Sequence, residues 1–189
     1  MSLPNLIVIT GPTGIGKSSL AIKLAKALDT EIINADSVQV YKGFDIGSGK
    51  VTDEEKQGVK HHLLSYVDAN QKFDMARFCK DADDVIKDIS KRGKIPIICG
   101  GTGMYLRALV SGIAKIPEVK ESARSELEQL EKKLEKDIES KCLSECLYEH
   151  LGKLDPSSAS VIDKSDIQRM RRAILVYLST GRSITEFQK

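Results

Sequence analysis

No apolar run in this 189-residue chain approaches the roughly 20 residues that a membrane-spanning helix needs, so the sequence gives no reason to expect a membrane partner. The N-terminus carries no basic stretch followed by a long apolar one, the mark of a secretory signal. Cysteine is sparse and unpatterned: Cys79, Cys99, Cys142 and Cys146 follow neither metal-ligand nor disulfide-framework spacing. Cys142 and Cys146, four apart in a helical pattern, are expected to pack as small apolar side chains. Together these absences point to a reducing cytoplasm. A large charge excess is also missing. The formal net charge of +2 neither demands nor excludes a nucleic acid, so local clustering decides. Internal repeats and low-complexity segments are absent.

What is present is an ordinary globular composition, 41% hydrophobic and 30% charged, with length for one core or for a core and a small satellite. Leu6 to Thr10 is a short β-branched apolar run that reads as a buried parallel strand. Apolar residues at Leu20, Ala21, Leu24, Ala25 and Leu28 then mark an amphipathic helix. Glu31 to Asn34 reads as a second strand, and His62 to Val67 as a candidate for another. Residues 43–58 are rich in Gly, Ser, Asp and Thr and read mainly as a functional loop. Phe78, Ala82, Val85, Ile86 and Ile89 line a helix stopped by Gly93. Ile95 to Cys99 forms a further strand, followed by Gly100-Gly101-Thr102-Gly103 and a helix from about Met104. Strands alternating with helices predict an α/β doubly wound parallel sheet, whose ligands bind beyond the C-terminal strand ends.

Beyond Pro117 the pattern turns helical. Leu127, Leu130, Leu134 and Ile138 form one stripe, and Leu143, Leu147 and Leu151 a second that Asp155-Pro156 breaks. The mixed charges from Glu118 to Glu149 suit a solvated helix face. Asp166 is placed to cap a helix carrying Ile167, Met170, Ile174, Leu175 and Leu178, with Gly181 closing it. Ser183-Ile184-Thr185-Glu186 is a capping box that opens one more helix just before Lys189, so the chain reads as cut short. The expected organisation is a core over 1–116, a helical insertion over 117–165, and a helix returning to the core over 166–189.

Chemistry concentrates at two places. Gly11-Pro12-Thr13-Gly14-Ile15-Gly16-Lys17-Ser18 matches the phosphate-binding loop pattern, with the required strand before it and helix after it. Glycines let backbone N–H groups converge on phosphate oxygens, and the helix N-terminus adds partial positive charge. Lys17 supplies a full charge, and the Ser18 hydroxyl is a candidate Mg²⁺ ligand. The motif specifies a polyphosphate without specifying ATP. A P-loop nucleotidase also needs an acid at a second strand end, and the Ile95–Cys99 strand ends in Gly100-Gly101-Thr102 instead. The carboxylate appears elsewhere, at Asp36, just after the Glu31–Asn34 strand. It suits a general base or a metal holder, or else only a loop cap. Thr102 suits a helix cap, and Arg169, Arg171 and Arg172, with Lys164 nearby, suit either a solvated face or an RNA contact. His61 and His62 have no visible partner cluster and read as structural.

Five blocks in order, GPTGIGKS at 11–18, IINADSVQVYKGFDIG at 32–47, His61-His62-Leu63, GGTGMYLRAL at 100–109 and DIQRMRRAILVY at 166–177, together resemble the tRNA dimethylallyltransferase (tRNA isopentenyltransferase) family in its bacterial form. The resemblance implies that the P-loop, residues Gly11, Pro12, Thr13, Gly14, Ile15, Gly16, Lys17 and Ser18, holds dimethylallyl diphosphate with Mg²⁺. It implies Asp36 as the general base for the exocyclic adenine amine, with Lys17 and Thr102 in the catalytic group. It implies contacts to the tRNA anticodon loop by Asp36, Ser37, Val38 and Gln39, by Thr102 and Arg124, and by Gln168, Arg169, Met170, Arg171 and Arg172. The expected product is an adenosine beside the anticodon with a dimethylallyl group on N6, made by a cytoplasmic monomer. Family members continue past this chain's last residue, where a further phosphate-binding arginine is expected. The competing readings are an adenylate isopentenyltransferase acting on free AMP, ADP or ATP, a P-loop small-molecule kinase, and a remnant that binds diphosphate or RNA without turnover.

Overall fold

The computed structural model describes residues 5–136 and 142–187, and Ile138 of the expected stripe lies outside them. The chain divides into two compact units, Met1–Ile113 and Ala114–Lys189.

The first unit is the doubly wound α/β fold that the alternating pattern predicts. Strands β1 (Ile7–Thr10), β2 (Ile32–Asn34), β3 (His61–His62) and β4 (Ile97–Gly100) form one parallel sheet in the order β1-β4-β2-β3. Side chains alternate across a strand. Ile33 and Ile98 therefore face a cluster with Phe78, Ala82 and Ile86 of helix α3 (Met75–Lys91) and with Tyr105 and Leu106 of helix α4 (Gly103–Ser111). Ile32, Ile97 and Cys99 face the opposite way, onto Ala21, Ile22 and Ala25 of helix α1 (Lys17–Ala27). Helices thus cover both faces of the sheet.

Two local expectations change. The predicted strand over 62–67 is cut to His61–His62, because Leu63 and Ser65 take left-handed backbone angles, with φ of 56° and 48°, that no strand continues through. The pairing resumes only as a single bridge between Tyr41 and Val67. Within the predicted loop sits a short helix, α2 (Asp53–Lys56), started by a capping box in which Glu55 N donates to Thr52 Oγ1 and Thr52 N donates to Glu55 Oε2.

The second unit is helical: α5 (Glu121–Lys136), α6 (Leu143–Leu154), α7 (Pro156–Ala159), α8 (Ile167–Thr180) and α9 (Ile184–Phe187). Both predicted stripes meet in its core, where Leu127, Leu147 and Leu151 pack with Met170, Ala173 and Ile174. Helix α8 packs on α5 and α6, where its apolar face completes this cluster. Pro156 does not simply end a helix. It sits in the first turn of α7, where its missing N–H costs nothing, and Asp155 caps that turn by accepting from Ser158 N at 3.1 Å. Cys142 is exposed at the N-cap of α6 rather than packed, since the helix begins one residue after it.

One buried charge anchors the first unit. Glu31, at the start of β2, accepts hydrogen bonds from Arg92 beyond α3 and from His62 of β3 (2.6 Å to Nε2), with Lys60 at 3.7 Å. The Arg92 bond leads in holding the carboxyl down to about 2, against an ordinary value near 4.5, with His62 and Lys60 helping and burial opposing. A depressed acid stabilises the fold while ionised. Its contribution is complete above the unfolded value and fades as pH falls through 4.5 towards 2. After allowing for screening at the half-exposed Arg92, it is on the order of 2 kcal/mol. Urea midpoints taken from pH 7 to pH 3 should therefore fall more steeply for the wild type than for Glu31→Gln; parallel curves would remove Glu31 from this role.

Candidate active site

Because the sheet is parallel, β1, β2 and β4 end on the same edge, and each delivers one part of the site there. β1 feeds the glycine loop. Gly14 and Gly16 stand at φ of 86° and 87°, left-handed angles open to glycine at little cost, and Gly16 starts α1. The first helical bond runs from Leu20 N to Gly16 O, so the amides of Lys17, Ser18 and Ser19 have no partner inside the helix. They gather at its positive end, a built-in anion site. Lys17 Nζ donates to Pro12 O at 2.6 Å, which folds the lysine back over its own loop.

β2 delivers Asp36. Its Oδ1 accepts from Val38 N at 2.9 Å and from Gln39 N at 3.1 Å, closing a tight turn. No described residue donates to Oδ2. One oxygen of the carboxylate thus does the loop capping that one reading of the sequence foresaw. β4 delivers Thr102. This residue occupies the N-cap position of α4, but its hydroxyl makes no capping bond. It accepts from Ser37 N at 3.0 Å and donates to Ser37 Oγ at 3.3 Å, so it holds the turn that carries Asp36.

The two loops meet because Gly100 lets them. A Cβ on Gly100 would lie inside contact distance of the Ala35 carbonyl and Cα, and Ala35 N donates to Cys99 O at 2.8 Å across the same gap. Any side chain here would push β4 from β2.

Between these parts lies a cavity of about 550 Å³. Lys17, Ser18, Asp36 and Gln39 line it, as do Thr13, Gly14 and Gly16 of the loop, while Ala21, Ile22, Ile32, Val51 and Leu64 give it an apolar stretch. The volume suits a small-ligand site, usually ~300–1,000 Å³. Sequence reasoning missed Glu55, Gln57, His61 and Cys99 on its wall. The Thr52-to-Glu55 spacing was the available signal for the first two, since it marks a helix start within the loop. His61 Nδ1 lies 2.9 Å from Val59 O, which requires the proton on Nδ1 and leaves Nε2 an acceptor while burial lowers the ring's pKa. Burial pushes the Cys99 thiol up, with Lys17 opposing, so it is a poor nucleophile.

Of the expected site residues, the P-loop, Asp36 to Gln39 and Thr102 come together in the first unit. Arg124 and Gln168 to Arg172 belong to the second. Arg124 is exposed and pairs loosely with Glu121 at 3.6 Å. Gln168, Arg169 and Arg172 are exposed on α8, whereas Arg171 Nε donates to Glu131 Oε1 at 2.6 Å. Met170 is fully buried in the helical core and is withdrawn as an RNA contact, because the turn of α8 that points Arg169 outward points it inward. Among the described residues, no group of three His, Cys, Asp or Glu side chains is arranged to hold a metal.

Comparison with known proteins adds three findings. The family profile described as IPP transferase matches residues 39–189. A tRNA dimethylallyltransferase of Carboxydothermus hydrogenoformans is 44% identical over 183 residues, covering 96% of this chain and 56% of the relative, and one of Thermoanaerobacter sp. is 42% identical over 186 residues, covering 97% and 56%. Among solved structures, a eukaryotic dimethylallyltransferase acting on tRNA is 35% identical with a TM-score of 0.73, over 97% of this chain and 44% of that one. A tRNA isopentenylpyrophosphate transferase of Bacillus halodurans is 35% identical with a TM-score of 0.60, over 96% and 57%. The chain spans a little over half the length of the curated relatives it matches.

The contact at Gly100 is open to a direct test. Gly100→Ala should lower stability by about 2 kcal/mol or more, because the Ala35 backbone cannot yield. Gly103→Ala, where an added Cβ meets nothing within 4 Å, is the control and should be near neutral. Equal denaturant midpoints for the two variants would refute the close approach.

Proposed function

Because the chain belongs to the IPP transferase family, we propose that it transfers a dimethylallyl group from dimethylallyl diphosphate to the N6 amine of an adenosine next to the anticodon in tRNA. The observation that carries this reading is a single cavity that joins the P-loop lysine, an apolar stretch and the Asp36 carboxylate. The helix amides and Lys17 bind the diphosphate, and the apolar stretch receives the five-carbon chain. Asp36 takes the proton that the attacking amine loses.

In the reaction, the amine nitrogen bonds to C1 of the prenyl group while the bond from C1 to the diphosphate oxygen breaks. The bonding pair leaves with the diphosphate, and the amine proton passes to Asp36. Positive groups fixed where negative charge develops lower the barrier to that departure. The adenine amine is a weak nucleophile because its lone pair is delocalised into the ring, so a carboxylate that accepts its proton as the new bond forms is useful. Mg²⁺, held by Ser18 and the diphosphate, would supply further charge neutralisation there. Thr102 acts through Ser37 by keeping the Asp36 turn in place. The adenine has to leave its stack to enter, which an unpaired anticodon loop permits more readily than a duplex. On the second unit, Gln168, Arg169 and Arg172 offer exposed donors to RNA phosphates, and Arg124 is the corresponding expectation on α5. We place the protein in the cytoplasm as a monomer.

The lack of an acid at the end of β4 speaks against a kinase, which needs one to hold its metal. Labelled dimethylallyl diphosphate, offered with tRNA or with AMP, separates the tRNA enzyme from an adenylate enzyme and from a remnant without turnover. In that assay, Asp36→Ala should slow transfer about 10²- to 10⁴-fold and leave diphosphate affinity largely intact. Lys17→Ala should weaken donor binding and also slow transfer. Undiminished turnover by Asp36→Ala would rule out the proton-accepting role.

A further inference from the structure

The segment from Tyr41 to Lys50 is built inside out. Two of its polar side chains, Lys50 and Ser48, bond inward, while Lys42 and Asp45 stay exposed. Lys50 has a side chain only 5% exposed, and its Nζ donates to Tyr41 O and to Asp45 Oδ1, each at 2.7 Å. Ser48 Oγ donates to Phe44 O at 2.6 Å, Gly49 N to Ile46 O at 3.1 Å, and Lys50 N to Asp45 O at 3.2 Å. Its apolar groups point out: Ile46 is 98% exposed and Phe44 is 49% exposed. A loop usually does the reverse, and large exposed apolar side chains held by a rigid frame mark a contact surface. The Phe44 ring is braced by Tyr41, with centroids 6.0 Å apart.

This loop is fastened to the site. Gln39 Nε2 donates to Ser48 O at 2.9 Å, which ties it to the turn that holds Asp36, and Ser48 and Gly49 line the same cavity as Asp36 and Gln39. Val38, next to that turn, is also exposed. The Lys42 side chain on the same loop makes a surface ion pair to Asp68, which a phosphate readily displaces.

Resting on the functional reading above, we infer that Phe44 and Ile46 form an apolar platform on which an unpaired RNA base adjoining the target adenine stacks. A base drawn into the cavity leaves its neighbours unstacked at the rim. An aromatic or apolar face there replaces the lost stacking without reading sequence. A protein surface covering the platform is the alternative occupant, and the test separates the two.

The probe is a synthetic anticodon stem-loop carrying 2-aminopurine at each loop position beside the target adenine in turn. Wild-type protein should shift the fluorescence at one such position. Phe44→Ala and Ile46→Ser should lose that shift and bind the RNA about fivefold to a hundredfold more weakly. Inorganic pyrophosphate should bind both variants as it binds wild type, and Phe44→Tyr should restore the signal. Unchanged RNA binding in the two variants overturns the platform. So does a lowered melting temperature with RNA binding intact, which would assign the surface to protein packing. Wild-type protein that prenylates AMP and ignores the stem-loop would defeat the tRNA reading itself, and the platform with it.

Discussion

The site depends on how closely two strands approach. β4 and β2 pass so near at Gly100 and Ala35 that glycine alone fits, and both loops beyond them inherit that proximity. The Thr102 hydroxyl reaches Ser37 only because β4 ends there in register with β2. Separate the strands by the width of a methyl group and the Asp36 turn loses its outside support. The carboxylate would keep its own Asx turn to Val38 and Gln39, but the position of that turn relative to the P-loop would no longer be set. One missing Cβ thus fixes the distance between the P-loop and Asp36, the spacing on which the proposed transfer would depend.

Electrostatics then divides labour along β2. At its start, Glu31 is buried and satisfied by Arg92 and His62, an arrangement that fixes β3 and the end of α3. Just past its other end, Asp36 keeps one oxygen free of partners among the described residues. The strand that separates them is wholly apolar apart from Asn34, whose amide donates to Leu63 O at 3.1 Å. That bond secures the start of the left-handed run that ends β3 and lets the following segment fold back across the sheet edge. A structural carboxylate, Glu31, and the proposed proton acceptor, Asp36, therefore flank one short strand.

Much of this was legible in the sequence, and the reasons are specific. Gly11 to Ser18 was readable because a phosphate loop needs glycines, a lysine and a helix start at fixed spacing. Asp36 was readable because a strand of three isoleucine-rich residues announces its own end. Short apolar strands alternating with helical stretches foretold the doubly wound sheet. What escaped was set by contacts remote in sequence or by non-glycine residues in left-handed backbone. Nothing in the composition at Leu63 and Ser65 warns that they end β3, and nothing local shows that Gly100 must be small because Ala35 is there. The loop at 43–58 read mainly as functional from its composition, which says nothing of which side chains face out. The structure draws Ser48 and Lys50 inward and leaves Phe44 and Ile46 outside.

The block at 168–172 shows the limit of carrying a motif over as a unit. An α-helix turns 100° per residue, so five consecutive positions sweep more than a full circle, and one face of α8 already belongs to the helical core through Met170, Ala173 and Ile174. The block must therefore divide. Met170 goes to the core, Arg171 to Glu131 at the flank, and Gln168, Arg169 and Arg172 to solvent. Arg169 and Arg172 are three apart, which places both guanidinium groups on one side of the helix. Arg169 also lies within 3.3 Å of the capping Asp166, an exposed pair of small energetic value that leaves its charge available. A sequence motif reports that a stretch matters; the helical period decides that two of its three arginines stand exposed while the third holds the helix to α5.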